Sequence, residues 1–242
     1  MPVERTRIRR RAAESRRQLG FNLLVPVNIW SVLRTAGISV IKKPLKSEIS
    51  GLFMRKQDVA LVLINSARTL GHQNFTAAHE YFHLRYDLEL TCRVCSAGNF
   101  DPRNAGERDA DYFAAYLLAP DEAIEWQIER RTGGLPVDLP DIIALEQYFG
   151  ISHQAMLIRL VETGHLSEKE KEQWGEGVIE AAKQLGYDTN LYMHTNEEVV
   201  LSDYAEKAMF ALKRGLISAG RYEELLLEAG YADLVYGEEG ET

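Results

Sequence analysis

Cysteine, long apolar runs and excess positive charge are what this chain has least of. It carries only Cys92 and Cys95 among 242 residues, too few for the disulfide framework of a small secreted domain. Its longest apolar stretches are a handful of residues, far short of the roughly 20 that a bilayer-spanning helix needs. Seven arginines crowd the first 17 residues (Arg5, Arg7, Arg9, Arg10, Arg11, Arg16, Arg17), but no apolar segment of signal-peptide type follows them. A cytoplasmic protein without a membrane anchor is therefore expected. The net charge of −8 argues against a general nucleic-acid binder. There is no repeat of fixed period and no low-complexity segment.

What remains is ordinary globular composition: 45% hydrophobic and 26% charged residues, in a chain long enough for one large domain or two small ones. The charge is uneven. The arginine-rich start is basic, whereas residues 168–176 and the tail at Glu238, Glu239 and Glu241 are acidic. The arginines can meet phosphates, an acidic partner or acidic regions of the same chain. The simplest reading is the solvated face of an amphipathic helix ending near Gly20.

Along the chain, residues 26–36 read as a helix with Pro26 near its start and Gly37 after its end. Strands are expected at Ile38 to Ile41, Ile49 to Met54 and Val59 to Asn65, the last two as an antiparallel hairpin. Val59 to Ile64 is apolar throughout, which suggests packing on both faces, or a sheet edge able to align an extended peptide. Helices follow over Phe75 to Leu88, capped by Thr76, and over Ala105 to Leu118, stopping before Pro120. Beyond it, Leu139 to Phe149 and Ile151 to Val161 form two helices around a tight turn, with Gly150 ending the first and Ser152 capping the second. Residues 167–185 are helical and charged, 188–197 loop-like, and Ser202 to Tyr231 a helical pair broken near Gly215. The expected organisation is a core over 1–125, a helix-turn-helix-like segment over 126–166 and a helical extension over 167–242. The fold class is α+β, a small three-stranded mixed or antiparallel sheet against two helices, followed by an all-helical part.

The chemistry is concentrated in His79-Glu-Tyr-Phe-His83. Two imidazoles four residues apart on a helix share one face about a turn apart, so both reach a single metal ion. Glu80 lies beside that face and can act as base toward a water activated there. Such a site needs a third protein ligand, and Glu107 is the best candidate. Glu107, Ala110, Asp111 and Ala114 form one helical stripe. The alanines allow close approach to the first helix, and Asp111, one turn on, can accept a hydrogen bond from the non-ligating nitrogen of His79 or His83. Asp109 points elsewhere. Zinc suits two histidines and a carboxylate, although manganese or iron can occupy the same set.

Taken together, Ile49-Ser-Gly, Val62-Leu-Ile-Asn, Asn74-Phe-Thr-Ala-Ala-His-Glu-Tyr-Phe-His, Glu107 through Pro120, and Leu145-Glu-Gln-Tyr-Phe-Gly-Ile-Ser-His-Gln-Ala with Arg159-Leu resemble the ImmA/IrrE metallopeptidases over about residues 12–166. The resemblance implies a gluzincin-type zinc endopeptidase with ligands His79, His83 and Glu107 and catalytic base Glu80. It also implies a protein substrate of regulatory kind, such as a helix-turn-helix repressor or antitoxin-like partner, cleaved in a stress response. The chain departs from the family at Tyr81-Phe82, where Leu-Gly is usual, which implies different packing beside the site.

Cys92-Arg-Val-Cys95 is a CxxC without a second pair, so a structural zinc site is not expected. Its place between the metal motifs makes it a possible thiol switch in which one sulfur reaches the metal; otherwise it is two reduced thiols in a loop. His72, His153, His165 and His194 show no ligand spacing. The candidate recognition helix, Ser152 to Leu160, carries one arginine, too little charge for phosphate contacts, so a packing or docking role is favoured over DNA reading. A metal-binding sensor or interaction module without turnover is the alternative to an enzyme.

Overall fold

The computed structural model describes residues 2–57, 59–95, 97–98 and 104–236, so the acidic tail at Glu238, Glu239 and Glu241 lies outside the described residues. The chain separates into two compact units, one running to Val200 and one from Leu201. Among the described residues no helix is long and apolar enough to cross a membrane.

The first unit opens with α1 (Pro2–Gln18) and α2 (Ile29–Thr35), then β1 (Ile38–Lys43), β2 (Gly51–Lys56) and β3 (Val59–Asn65). Helix α3 (Leu70–Tyr86), strand β4 (Cys92–Cys95) and helix α4 (Ala105–Leu118) follow. The helices α5 (Asp121–Thr132), α6 (Leu139–Phe149), α7 (His153–Glu162), α8 (Glu168–Gln173) and α9 (Val178–Gln184) come next, then a 3-10 turn at Asn190–Tyr192 and β5 (Val199–Leu201). The sheet has the order β4-β2-β3-β1-β5. It is mixed: β1 runs parallel to β3, while β2 is antiparallel to both β3 and β4. The sequence pattern led to three strands, and the sheet has five. The two extra strands are four and three residues long, too short for alternation to register. The expected β2–β3 hairpin is present, but β3 lies in the middle of the sheet, so it offers no free edge; β4 and β5 are the edges. Nor is β3 covered along its whole length, since Val59 is 65% exposed.

Helix α3 begins five residues earlier than its apolar pattern indicates. Its N-cap is Thr69, whose side chain accepts from the His72 amide. Thr76 lies inside the helix and donates its hydroxyl to the His72 carbonyl at 2.9 Å. The polar first turn, Gly71-His72-Gln73-Asn74, hid the true start. Phe53, Val62 and Ile64 of the sheet meet Phe75, Ala78 and Phe82 of α3 and Phe113 and Leu117 of α4 in one core.

Arg5, Arg7, Arg9, Arg10 and Arg17 lie on an exposed face of α1, as expected, but several of them also hold acids of the same chain. Arg7 pairs with Asp109 at 2.9 Å, and Arg9 with Asp121 and Glu122 at 2.9 and 2.7 Å. Arg16 is fully buried and donates to the backbone carbonyls of Asn22, Leu117 and Val25. Helix α1 is thereby clasped to α4 and α5, the self-pairing option among the three.

Helices α6 and α7 meet around Gly150, in the left-handed region (φ 67°) that glycine tolerates, and Ser152, whose side chain caps α7. This turn seats on α3. A Cβ on Gly71 would come within 2.7 Å of the Ser152 amide nitrogen and 2.9 Å of its Cα. The only arginine of α7, Arg159, is buried, donates to the Ala119 carbonyl and pairs with Asp121 and Glu162. It is committed to the fold, not to phosphates. Below the turn, His153 donates to the Trp174 carbonyl (2.6 Å) and faces the buried Glu146 carboxylate (2.5 Å), which also accepts from the Tyr192 hydroxyl (2.8 Å).

The second unit holds α10 (Tyr204–Lys213), α11 (Ala219–Glu228) and α12 (Ala232–Tyr236). Helices α10 and α11 pack on each other, and the Ser202 and Tyr231 hydroxyls bond at 3.1 Å.

Two predictions follow from the packing around the α6–α7 turn. Gly71→Ala should destabilise the protein by roughly 1–3 kcal/mol, because the obstructing atoms are backbone and cannot swing aside. Helix propensity alone would favour alanine by roughly 0.5–1 kcal/mol, so the sign of the change in a denaturant midpoint decides. The second prediction concerns pH. Burial disfavours charge on His153, but Glu146 outweighs it and raises the histidine above its usual value, while burial raises Glu146 as well. The folded state thus holds protons more tightly than the unfolded chain. The contribution is complete below the ordinary histidine value near 6.5 and is lost as pH rises through the raised one. The thermal midpoint of the wild type should fall more between pH 6 and pH 8 than that of Glu146→Gln.

Candidate metal centre

Helix α3 delivers His79, Glu80 and His83 to the middle of the unit, all with zero exposure. Their placement follows from the helix lying between the sheet and α4, with core contacts on both sides. Ala110 and Ala114, both fully buried, keep the surface of α4 low where it meets α3. That brings Glu107, in the first turn of α4 and secured by the Asn104 cap, over the two imidazoles.

The donor atoms converge. His79 Nε2 and His83 Nε2 are 3.1 Å apart, and each lies 3.3 Å from an oxygen of Glu107. A tetrahedral ion with bonds near 2.0–2.1 Å would place its N and O ligands about 3.3–3.4 Å apart, so the observed spacings fit one. The outer nitrogens are fixed as a metal site requires. His79 Nδ1 bonds Asp111 Oδ1 at 2.8 Å, and His83 Nδ1 bonds Asp87 Oδ2 at 2.6 Å. Each imidazole then donates outward to a carboxylate and turns its Nε2 lone pair inward. Asp111 also accepts the Gly98 amide at 2.8 Å.

Electrostatics agree with a cation. Burial opposes a proton on His79, yet Asp111, Cys95 and Glu107 outweigh it and hold the imidazole well above its ordinary range. Glu107 is partly buried, which alone would raise it, but the hydrogen bonds of His79 and His83 hold it far below the usual carboxylate range. The same acidic surround that favours a positive charge on His79 favours a divalent ion.

Glu80 is different. Among the described residues neither of its buried oxygens has a hydrogen-bond partner, and burial pushes it up to about 7 against the pull of the two histidines. A carboxylate left unpaired in a core is costly unless it serves something else. The chain makes room for it at Gly51 of β2, where a Cβ would lie 3.0 Å from Glu80 Oε1 and 2.8 Å from the Thr76 methyl.

The structure thus gathers His79, Glu80, His83, Glu107 and Asp111 as the spacing indicated. Asp109 instead faces Arg7. Two participants were missed. Asp87, four residues after His83, was legible as a same-face partner. Arg93 of β4, whose Nε lies 2.8 Å from Glu107 Oε1, carried no signal. Of the two thiols, one of which was expected to reach the metal, Cys95 joins the donor cluster: its Sγ lies within 4.8 Å of the ligand atoms of His79, His83 and Glu107. Burial pushes its thiol up to about 12, against a pull from His79. Cys92 and Cys95 stand on a strand, not in a loop, and three residues of strand put them about 10 Å apart on opposite faces, too far for a disulfide. Cys92 is exposed. His72 is partly buried, bonds the Ser50 hydroxyl (2.9 Å) and is lowered to about 4 chiefly by desolvation.

The Tyr81-Phe82 departure resolves into core packing. Both rings pack at a tilt against Phe113 of α4, at 6.3 and 5.3 Å between centroids.

No curated protein matches the chain. A model of the peptidase M78 family, described as the IrrE N-terminal-like domain, matches residues 33–161, which span β1 through α7 and every residue of the cluster. That match covers more than half of the 242 residues, and the chain belongs to this metallopeptidase family.

Proposed function

We propose that the protein is a zinc-dependent endopeptidase acting on a regulatory protein in the cytoplasm. The observation that carries the reading is the inward convergence of two Nε2 atoms and the Glu107 carboxylate, each imidazole oriented by its own acid, beside the unpaired Glu80. His79, His83 and Glu107 would hold the ion, a donor set that suits zinc. When bound, a divalent metal supplies acidification of water and polarisation of the scissile carbonyl. Glu80 takes the proton of the attacking water and delivers it to the departing amine, a transfer favoured by a carboxyl poised near neutrality. Asp111 and Asp87 keep the imidazoles in the ligating tautomer. Arg93 steadies Glu107. An extended substrate would align by strand addition along the open edge of β4, the sheet edge nearest these groups, in place of the central β3. A repressor or antitoxin-like substrate is proposed from the family alone.

Two measurements test this. Proteins co-expressed with the wild type and with Glu80→Gln, compared by mass spectrometry, should show a cleaved partner only with the wild type, and a chelator should abolish cleavage. Product from Glu80→Gln, or activity indifferent to chelation, would falsify the mechanism. Asp87→Asn should weaken zinc binding by roughly 10–100-fold, the usual effect of losing a carboxylate behind a ligating histidine, with the fold intact by circular dichroism. Unchanged affinity would mean that Asp87 does not orient His83.

A further inference from the structure

A hydrolytic zinc site keeps one position for water, whereas a closed site has four protein ligands. Here four side chains, not three, meet. Cys95 is 1% exposed and ends β4, where its backbone register opposite Gly51 places it beside α3. Its Sγ lies 3.8 Å from Glu107 Oε1. With a zinc–sulfur bond near 2.3 Å and a zinc–oxygen bond near 2.0–2.1 Å, a tetrahedral edge between them is about 3.6 Å. The remaining distances to the histidine nitrogens fall within 4.8 Å, so closing the tetrahedron takes a movement of no more than about 1.2 Å toward each. The sulfur is no bystander of an apolar core: its neighbours are metal-ligating groups and the unpartnered Glu80 oxygens.

We propose that Cys95 is the fourth ligand of the resting metal centre, occupying the position that a hydrolytic water needs, so that the protein folds in a latent form. This rests on the metal site proposed above. On binding, the thiol S–H bond breaks, its proton passes to solvent and the thiolate takes the fourth position; no electron transfer is involved. Opening the site reverses that exchange, with water replacing sulfur. Cys92, on the other face of the strand, takes no part.

Cobalt substitution of the full chain tests the inference by a readout independent of turnover. The wild type and Cys92→Ser should each bind one cobalt with a thiolate-to-cobalt charge-transfer band, and Cys95→Ser should bind one cobalt without it, at least about tenfold more weakly. X-ray absorption of the zinc-loaded wild type, which needs no variant to fold, should show one sulfur at about 2.3 Å. One cobalt bound with no charge-transfer band, or a zinc shell of nitrogen and oxygen alone, overturns the fourth ligand while leaving the His79, His83 and Glu107 site standing. No bound metal at all overturns both. If the ligand also enforces latency, metal-loaded Cys95→Ser should cleave the co-expressed partner at least about tenfold faster than metal-loaded wild type. An equal or lower rate removes the latency.

Discussion

The burial of a polar helix face governs this structure. Helix α3 carries His79, Glu80 and His83 at zero exposure, and isolated charges there would be prohibitive. Everything around the helix answers that demand. Asp111 comes from α4, Asp87 from the end of α3 itself, Glu107 from the first turn of α4 and Arg93 from the sheet edge. The sheet and α4 supply the apolar walls, and two alanines set the spacing between helices. Among the described residues nothing hydrogen-bonds either oxygen of Glu80, and it is the group whose chemistry needs freedom.

Much of this was legible because helical periodicity is strong over short distances. Four-residue spacing placed the two histidines on one face, and the same geometry placed Asp111 one turn from Glu107. The hairpin of β2 and β3 was visible in the alternation of apolar and polar runs. The failures have physical causes. A strand of four residues with two cysteines, an arginine and a valine has no period to detect, so β4 was mistaken for loop and the reach of Arg93 to Glu107 went unseen. The order of strands in a sheet is set by long-range pairing, which is why β3 could be taken for an edge. Thr76 was taken as a cap because, after Leu70, the start of α3 runs through Gly71, His72, Gln73 and Asn74 without an apolar residue.

The paired helices after the core show how a familiar outline can have a structural purpose. Arg159 is the one cation of α7, and it is spent on Asp121, Glu162 and the Ala119 carbonyl. The turn between α6 and α7 lies against Gly71, two turns upstream of His79. These helices therefore act as a buttress that fixes where α3 begins, which supports their reading as a packing module.

The arginine clasp of α1 has a consequence for the metal centre. Arg7 grips Asp109, two residues along from Glu107 on the same helix, so the N-terminal helix is coupled mechanically to the ligand-bearing turn. The clasp has two kinds of grip. The side chains of Arg7 and Arg9 are about half exposed, so their pairs contribute at most about 1 kcal/mol each and weaken as salt rises. Arg16 is sealed from solvent and holds backbone carbonyls instead. Ionic strength thus loosens the outer end of α1 while the inner end stays anchored, making the N-terminus a brace whose stiffness is set by the surrounding electrolyte.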